Sequence, residues 1–457
     1  MKHIITSSLC KSSRGQSLSP AHNRAALRLR HSLAAMAAAV LLPAAALAAS
    51  PSVSTVGDGY AGTSVNTAVF RTNSLVTHDS TQYVAYYDPE GVLTLGKRQL
   101  GSDRWTTSRT QYKGNVRDAH NVISLGVDGR GYLHVSFDHH GHPLHYARSV
   151  APGSLLLGPL QSMTGIDEDN VTYPEFYNLT DGGLLFVYRS GASGRGNMAI
   201  NRYDPNTCRW QRVQDKLIDG EEQRSPYWQV YVDANDVIHV SWVWRETWMV
   251  ETNHDMCYAR SLDGGRSWER SDGTPYSLPI TAANAEYAWK IPQKSELINQ
   301  TSMTADAKSH PYIVTYWRDP DATVPQYRMI WHDGDSWQQR AITQRTTPFS
   351  LAGGGTKMIP ISRPRMVVND ESIAVIYRDA ERGSRVSMAT ADGGPAGLWT
   401  TTDLTDYSVE AWEPTLDPIA WRQHGILSIF VQQTLQGDGE RALKTAPTPV
   451  RVLDLRP

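Results

Sequence analysis

Six histidines crowd the stretch from Asn115 to Ser149: His120, His134, His139, His140, His142 and His145. Tyr173 and Arg189 follow, sixteen residues apart, and Arg189 leaves an apolar run for the glycine-rich segment Gly191-Ala192-Ser193-Gly194-Arg195-Gly196. Near pH 7 a neutral imidazole is a competent base, and a guanidinium forks onto a carboxylate. Together these types suit proton transfer on a sugar acid, with His120 and His140 expected at the ends of neighbouring strands of one sheet. Close-set histidines can also bind zinc, but no carboxylate cluster accompanies them, so no catalytic metal is assigned. Arg245, Arg318 and Arg378 sit behind Trp244, Trp317 and Tyr377 as Arg189 sits behind Tyr188. The four arginines are therefore either ligands for an anionic substrate or a repeated structural feature paired with acids.

The elements that must hold these groups are strands. Seven very apolar runs recur at roughly 50-residue spacing, a period that belongs to a β-propeller of about four strands per unit. They are residues 83–87, 132–137, 184–188, 237–242, 311–316, 372–377 and 426–430. Each is apolar on both faces, as a blade packed between two others requires. Ser261-Leu262-Asp263-Gly264-Gly265-Arg266-Ser267-Trp268 has the form of an Asp-box turn, in which the carboxylate caps turn amides, glycine takes positive φ and tryptophan packs between blades. Weaker copies run from Ser102 to Trp105, Asp204 to Trp210, Asp333 to Trp337 and Asp392 to Trp399. The expected fold is all-β, one seven-bladed propeller of four-stranded blades over residues 49–457. The segment from Val53 to Phe70 should lend a strand to the last blade and close the ring. Two insertions, Arg245 to Asp255 and Ser271 to Leu297, either wall a cleft on one face or are disordered or merely packed loops. Within strands, His134 and His239 stand in parallel places before Val-Ser and are expected in the core.

Residues 1–48 carry six basic residues and no acid, then the apolar run Leu33 to Leu47 and a small-x-small pattern at Ala46-Leu47-Ala48. This reads as a secretory signal peptide, placing the mature chain outside the cell or in the periplasm with no membrane span left. Removing those six from the 44 basic residues leaves 38 against 46 acids, a net charge near −8, which argues against a nucleic-acid partner. An anionic substrate would have to be held by local arginines. Trp and Tyr, 14 and 21, outnumber the 6 Phe, a bias that suits sugar faces and β-rich domains alike. Cys208 and Cys257, 49 residues apart, could pair on adjacent blades for roughly 4 kcal/mol, stay free, or join a histidine such as His254 around zinc.

Several of these segments resemble the BNR-type seven-bladed propeller polysaccharide lyases, the ulvan lyases and the lyases that cut rhamnose from glucuronate in arabinogalactan. The resemblance rests on Asp118-Ala119-His120-Asn121, His140, Gly131-Tyr132-Leu133-His134, Pro143 to Ser149, Tyr173 with Arg189, and Asn253-His254-Asp255. It implies β-elimination at a rhamnose-(1,4)-uronate linkage of an anionic polysaccharide, leaving an unsaturated uronate. His120, His140, Tyr173 and Arg189 would form the catalytic set. Arg189 would sit on the carboxylate, with His120 as base and Tyr173 as acid or shared acid/base, or these two exchanged. His140, or His139 or His142 in its place, would orient substrate or serve as alternate base. Asn121, His139, His142, Arg245, Arg318 and Arg378 are the candidate substrate ligands. No cofactor is required, although some relatives carry a divalent ion, calcium or zinc, on the propeller axis; a monomer is expected. Two other readings stand beside this one: a glycoside hydrolase, rhamnosidase or sialidase-like, and a non-catalytic carbohydrate-binding propeller. A hydrolase needs two suitably spaced carboxyl groups, and no pair can be nominated.

Overall fold

Each of the seven apolar runs is the second strand of its own antiparallel sheet, flanked by an inner strand that lines the axis and by strands stepping outward. The structure, a computed structural model, describes residues 51–456 except residues 194, 301, 370 and 371; the expected leader lies outside them. Blade 1 spans residues 75–113, blade 2 residues 123–148, blade 3 residues 171–214, blade 4 residues 225–289, blade 5 residues 302–341 and blade 6 residues 365–403. Blade 7 combines residues 415–455 with the N-terminal strand Ser52–Gly59, which pairs with Thr448–Leu455 and closes the ring as expected. Seven apolar clusters fill the blade interfaces. One of them sets Val56, Phe430 and Val452 of blade 7 against Leu75, Val84 and Tyr86 of blade 1. Another sets Leu185 and Val187 of blade 3 against Val240 and Trp242 of blade 4. Burial on both faces explains why alternation is lost in these strands.

The Asp box behaves as its residue types dictate. Asp263 accepts from the amides of Arg266 at 3.0 Å and Ser267 at 2.9 Å, Gly264 and Gly265 have φ of 75° and 91°, and Trp268 is buried. Outer-strand tryptophans tie blades together: Trp210 donates to Tyr146 Oη at 3.2 Å and Trp337 to Glu286 Oε1 at 2.8 Å. The α-helix Pro418–His424 is capped by Asp417 and ended by Gly425 at φ 60°. It lies at the C-terminal ends of the inner strands, where Arg422 donates to Val232 O and Trp421 to Val368 O, stoppering that end of the axis.

Two expectations need correction, on the strand count of the blades and on the placing of His120 and His140, and two readings left open are decided. Blade 2 has three strands and blade 3 five, because His140–His142 pairs with Val171 and Thr172 instead of completing its own blade. Asp138, at φ 66°, turns the chain outward, and Thr172 Oγ1 accepts from the Gly141 amide at 2.9 Å. His140 therefore belongs to the sheet of blade 3, while His120 lies in the turn just before the first strand of blade 2 and in no sheet. The insertion from Ser271 to Leu297 does not wall the cleft; it supplies the outer strand Glu286–Trp289 of blade 4 and packs Tyr276 and Tyr287 beside it. Cys208 and Cys257 are unpaired, one exposed and one buried, and His254 is held by Glu246 and Asp255 rather than by a thiol.

Candidate active site

The open end of the axis, where the inner strands begin, carries a cleft. His120, His140, Tyr173, Arg189 and Arg245 all line it, joined by Phe70, Tyr227, Trp248, Arg363 and Glu440. Asp118 builds the histidine half. Its Oδ1 accepts from the His120 amide at 2.9 Å and from His120 Nδ1 at 2.8 Å, while Oδ2 accepts from His140 Nδ1 at 2.6 Å. An ionised carboxylate only accepts, so both imidazoles carry their proton on Nδ1 and keep Nε2 uncommitted. The rings stack 4.0 Å apart at 17°, and Phe70 covers the other face of His120 at 4.7 Å. Glu440, from a loop of blade 7, reaches His120 Nδ1 at 3.3 Å.

These contacts set the protonation states. Burial opposes charge on Asp118, but the bonds from His120 and His140 outweigh it and hold the carboxyl well below its usual range. Burial likewise opposes a proton on His120, yet Asp118 and Glu440 together raise its pKa. Asp118, His120 and His140 are also the one group among the described residues whose donor atoms, within 4.8 Å of one another, could hold a metal ion. They would supply two nitrogens and a carboxylate, three of the four ligands of a tetrahedral zinc.

The other half comes from blade 3. Between Thr172 and Glu175 the pairing with the second strand slips by a bulge, and Tyr173 takes a φ of 56°. A left-handed tyrosine costs on the order of 1–3 kcal/mol, so the surrounding fold holds it there, and the bulge re-aims its side chain into the cleft. Burial raises the pKa of Tyr173 and Tyr227 adds to this, against the pull of Arg189, Arg245 and Arg363, so the phenol stays protonated at neutral pH. Arg189 lies over the Tyr173 ring at 4.9 Å and donates to Thr172 Oγ1 at 3.2 Å. The glycine-rich loop folds back on it: a Cβ on Gly196 would stand 2.5 Å from Arg189 Cδ. Among the described residues neither Arg189 nor Arg245 has a carboxylate partner, and the Nε of each is buried without a hydrogen bond. The cleft thus offers two guanidinium groups awaiting an anion.

The remaining candidates lie elsewhere. Asn121 is buried and donates to Asn115 O. His139 is buried with its Nε2 accepting from the His145 amide, and His142 is exposed, its Nδ1 accepting from the His140 amide. Arg318 is spent on Glu296 and on carbonyls of Lys294, Asp319 and Ala322. Arg378 donates to the carbonyls of Ile359, Pro360 and Trp412. None of the five reaches the cleft wall. Sequence reasoning missed Phe70, Arg363 and Glu440 as cleft residues, reached Trp248 only as part of the insertion from Arg245 to Asp255, which does wall the cleft, and gave Asp118 no role. The capping position of Asp118, two residues before a histidine, was the one signal available for it.

Fold and site together define a seven-bladed propeller whose open axial end pairs acid–base groups with unneutralised arginines. The chain belongs to the family of BNR repeat-containing proteins, which matches residues 81–345. It is similar to the long isoform of ulvan lyase from an Alteromonas species, 22% identical over 297 residues, and to that of Glaciecola sp. strain KUL10, 29% identical over 167 residues. These alignments take in 51% and 27% of the chain but only 29% and 16% of the relatives' own length. Among solved structures it resembles the polysaccharide lyase Uly1, with a TM-score of 0.65 over 84% of this chain and 90% of that one at 14% identity. A PL25 ulvan lyase bound to -[GlcA(1-4)Rha3S]- is similar with a TM-score of 0.60 over 86% of this chain and all of the other, at 16% identity. At these identities the likeness is one of fold.

Proposed function

We propose that the protein is a polysaccharide lyase that breaks a rhamnose-(1,4)-uronate linkage by β-elimination. The single observation that carries this reading is Arg189, buried in the cleft without a carboxylate partner beside a protonated phenol and a paired imidazole. Elimination requires loss of the weakly acidic C5 proton of the uronate, and the adjacent carboxylate must be neutralised for the enediolate to form. Arg189, with Arg245 beside it, neutralises it. His120, with Nδ1 fixed on Asp118, takes the C5 proton on Nε2 once neutral. Its raised pKa makes it the stronger base in that state. Tyr173 keeps its proton until O4 departs and then donates it. His140 stacks on His120 and orients the sugar. Likeness to ulvan lyases supports this substrate class, and the oligosaccharide on one structural neighbour has the uronate–rhamnose backbone proposed here.

The hydrolase reading finds no such support. Glu440 is the only carboxylate among the described residues lining the cleft, and it already accepts from Thr356 at 2.6 and 2.8 Å. A pair flanking a scissile bond is missing. The test is incubation with ulvan and with gum arabic while following ultraviolet absorbance of the new C4–C5 double bond and, separately, reducing ends. Absorbance from the wild type and its loss in Arg189→Ala is the expected result. Reducing ends without absorbance would establish hydrolysis instead, and an Arg189→Ala variant of undiminished activity would remove Arg189 from the mechanism.

A further inference from the structure

Trp248 stands at the edge of the cleft with 66% of its surface exposed, a large apolar side chain left open to water. It is nevertheless held. The Cε3–Cζ3 edge of its ring lies against Gly354, where a Cβ would come within 2.7 Å of Cε3 and 3.1 Å of Cζ3, so only glycine leaves room for it. Its carbonyl accepts from Arg245, the cleft arginine one blade on from Arg189. Gly354 in turn belongs to a strap across the rim. Gly353 O accepts from the Val250 amide at 2.8 Å and the Gly353 amide donates to Glu251 at 2.9 Å, anchoring the strap to blade 4. At its other end, Thr356 donates to Glu440 while Lys357 pairs with Asp438 at 2.8 Å, anchoring it to blade 7. Among the described residues the indole N–H has no hydrogen-bond partner, and the ring has no aromatic neighbour on either face.

We infer that Trp248, pinned on the glycine strap, is a stacking platform for the pyranose next to the uronate that Arg189 holds. A flat ring braced along one edge offers a face at little cost in side-chain entropy. Sugars present a patch of C–H groups of matching size, whereas a platform on a mobile loop would lose much of that gain on ordering. Trp248 is thereby a residue of substrate selection: it favours an extended chain over a lone uronate. The inference rests on the lyase reading for the identity of the neighbouring sugar, but its test reads binding separately from chemistry.

Wild type, Trp248→Ala, Trp248→Phe and Gly354→Ala are compared by retardation in native gels containing ulvan or gum arabic, and by initial rates of ultraviolet absorbance, after thermal melts establish that each is folded. Trp248→Ala should lose most of the retardation and raise KM about tenfold, the weight of one well-placed ring contact, with kcat falling no more than about threefold. Trp248→Phe should recover most of the loss, while Gly354→Ala, which keeps the indole but displaces it, should imitate Trp248→Ala. Retardation and KM of Trp248→Ala within twofold of wild type would overturn the platform. If retardation depends on Trp248 but no absorbance appears, the platform stands and the lyase reading falls. A wild type retarded by neither polysaccharide overturns both.

Discussion

Blade 2 and blade 4 each bury a histidine in the second strand, and the two sites are nearly superimposable in chemistry. His134 spends Nδ1 on Tyr146 Oη at 2.7 Å and Nε2 on Asp128 at 3.2 Å; His239 does the same with Tyr258 at 2.8 Å and Asp233 at 3.2 Å. Burial lowers the pKa of both, against the pull of their aspartates. The rim of blade 2 differs. His120 is also buried and also bonded to an aspartate, but only through Nδ1, and two carboxylates raise its pKa where one fails to do so for His134. The lesson is that ring nitrogens left over, not burial or residue type, separate a histidine that can move protons from one that braces a blade. Among the described residues blade 4 has the brace and no counterpart of the stacked rim pair at its own entrance, so the brace belongs to the repeat and the pair to the candidate site.

The comparison can be broken most severely at the rim. His120→Ala should lower kcat by about 10³-fold, within the usual range for a lost acid–base group, with the melting temperature nearly kept. A change at the core histidine should divide the other way. His134→Ala leaves Asp128 and the Tyr146 hydroxyl unpaired in the interior and should cost about 3 kcal/mol in denaturant unfolding, while the folded fraction keeps its turnover. The smallest effect is on pH. The base works only when neutral, so kcat/KM should rise with pH through a midpoint above the usual histidine value, and Glu440→Gln, by removing one of the two carboxylates, should move that midpoint down. The sign for stability is opposite. His120 contributes most below its unfolded pKa, and that contribution fades as pH rises through the raised folded value.

Much of the scaffold was legible because a propeller repeats itself: apolar strands, Asp boxes and the closing N-terminal strand all follow from local residue types. The candidate site was legible only where it stayed near those repeats, at His120, His140, Tyr173, Arg189 and Arg245. The four strand-end arginines look alike in sequence, yet Arg378 meets three backbone carbonyls, Arg318 meets Glu296, and Arg189 and Arg245 meet no carboxylate. That difference is decided by loops lying far off in the chain. Glu440 and Gly354 were invisible for the same reason, since their partners, His120 and Trp248, are 320 and 106 residues away. The transfer of His140 to the next blade depends on the positive φ at Asp138, an aspartate that no turn motif in the sequence marked.

The most direct test of the account sets the two histidines of blade 2 side by side, measuring the rate of double-bond absorbance from ulvan and the unfolding midpoint for His120→Ala and His134→Ala in one experiment. The account predicts a folded, inactive His120 variant and a destabilised, active His134 variant. An active His120→Ala, or a His134→Ala that keeps full stability and loses turnover, would contradict it.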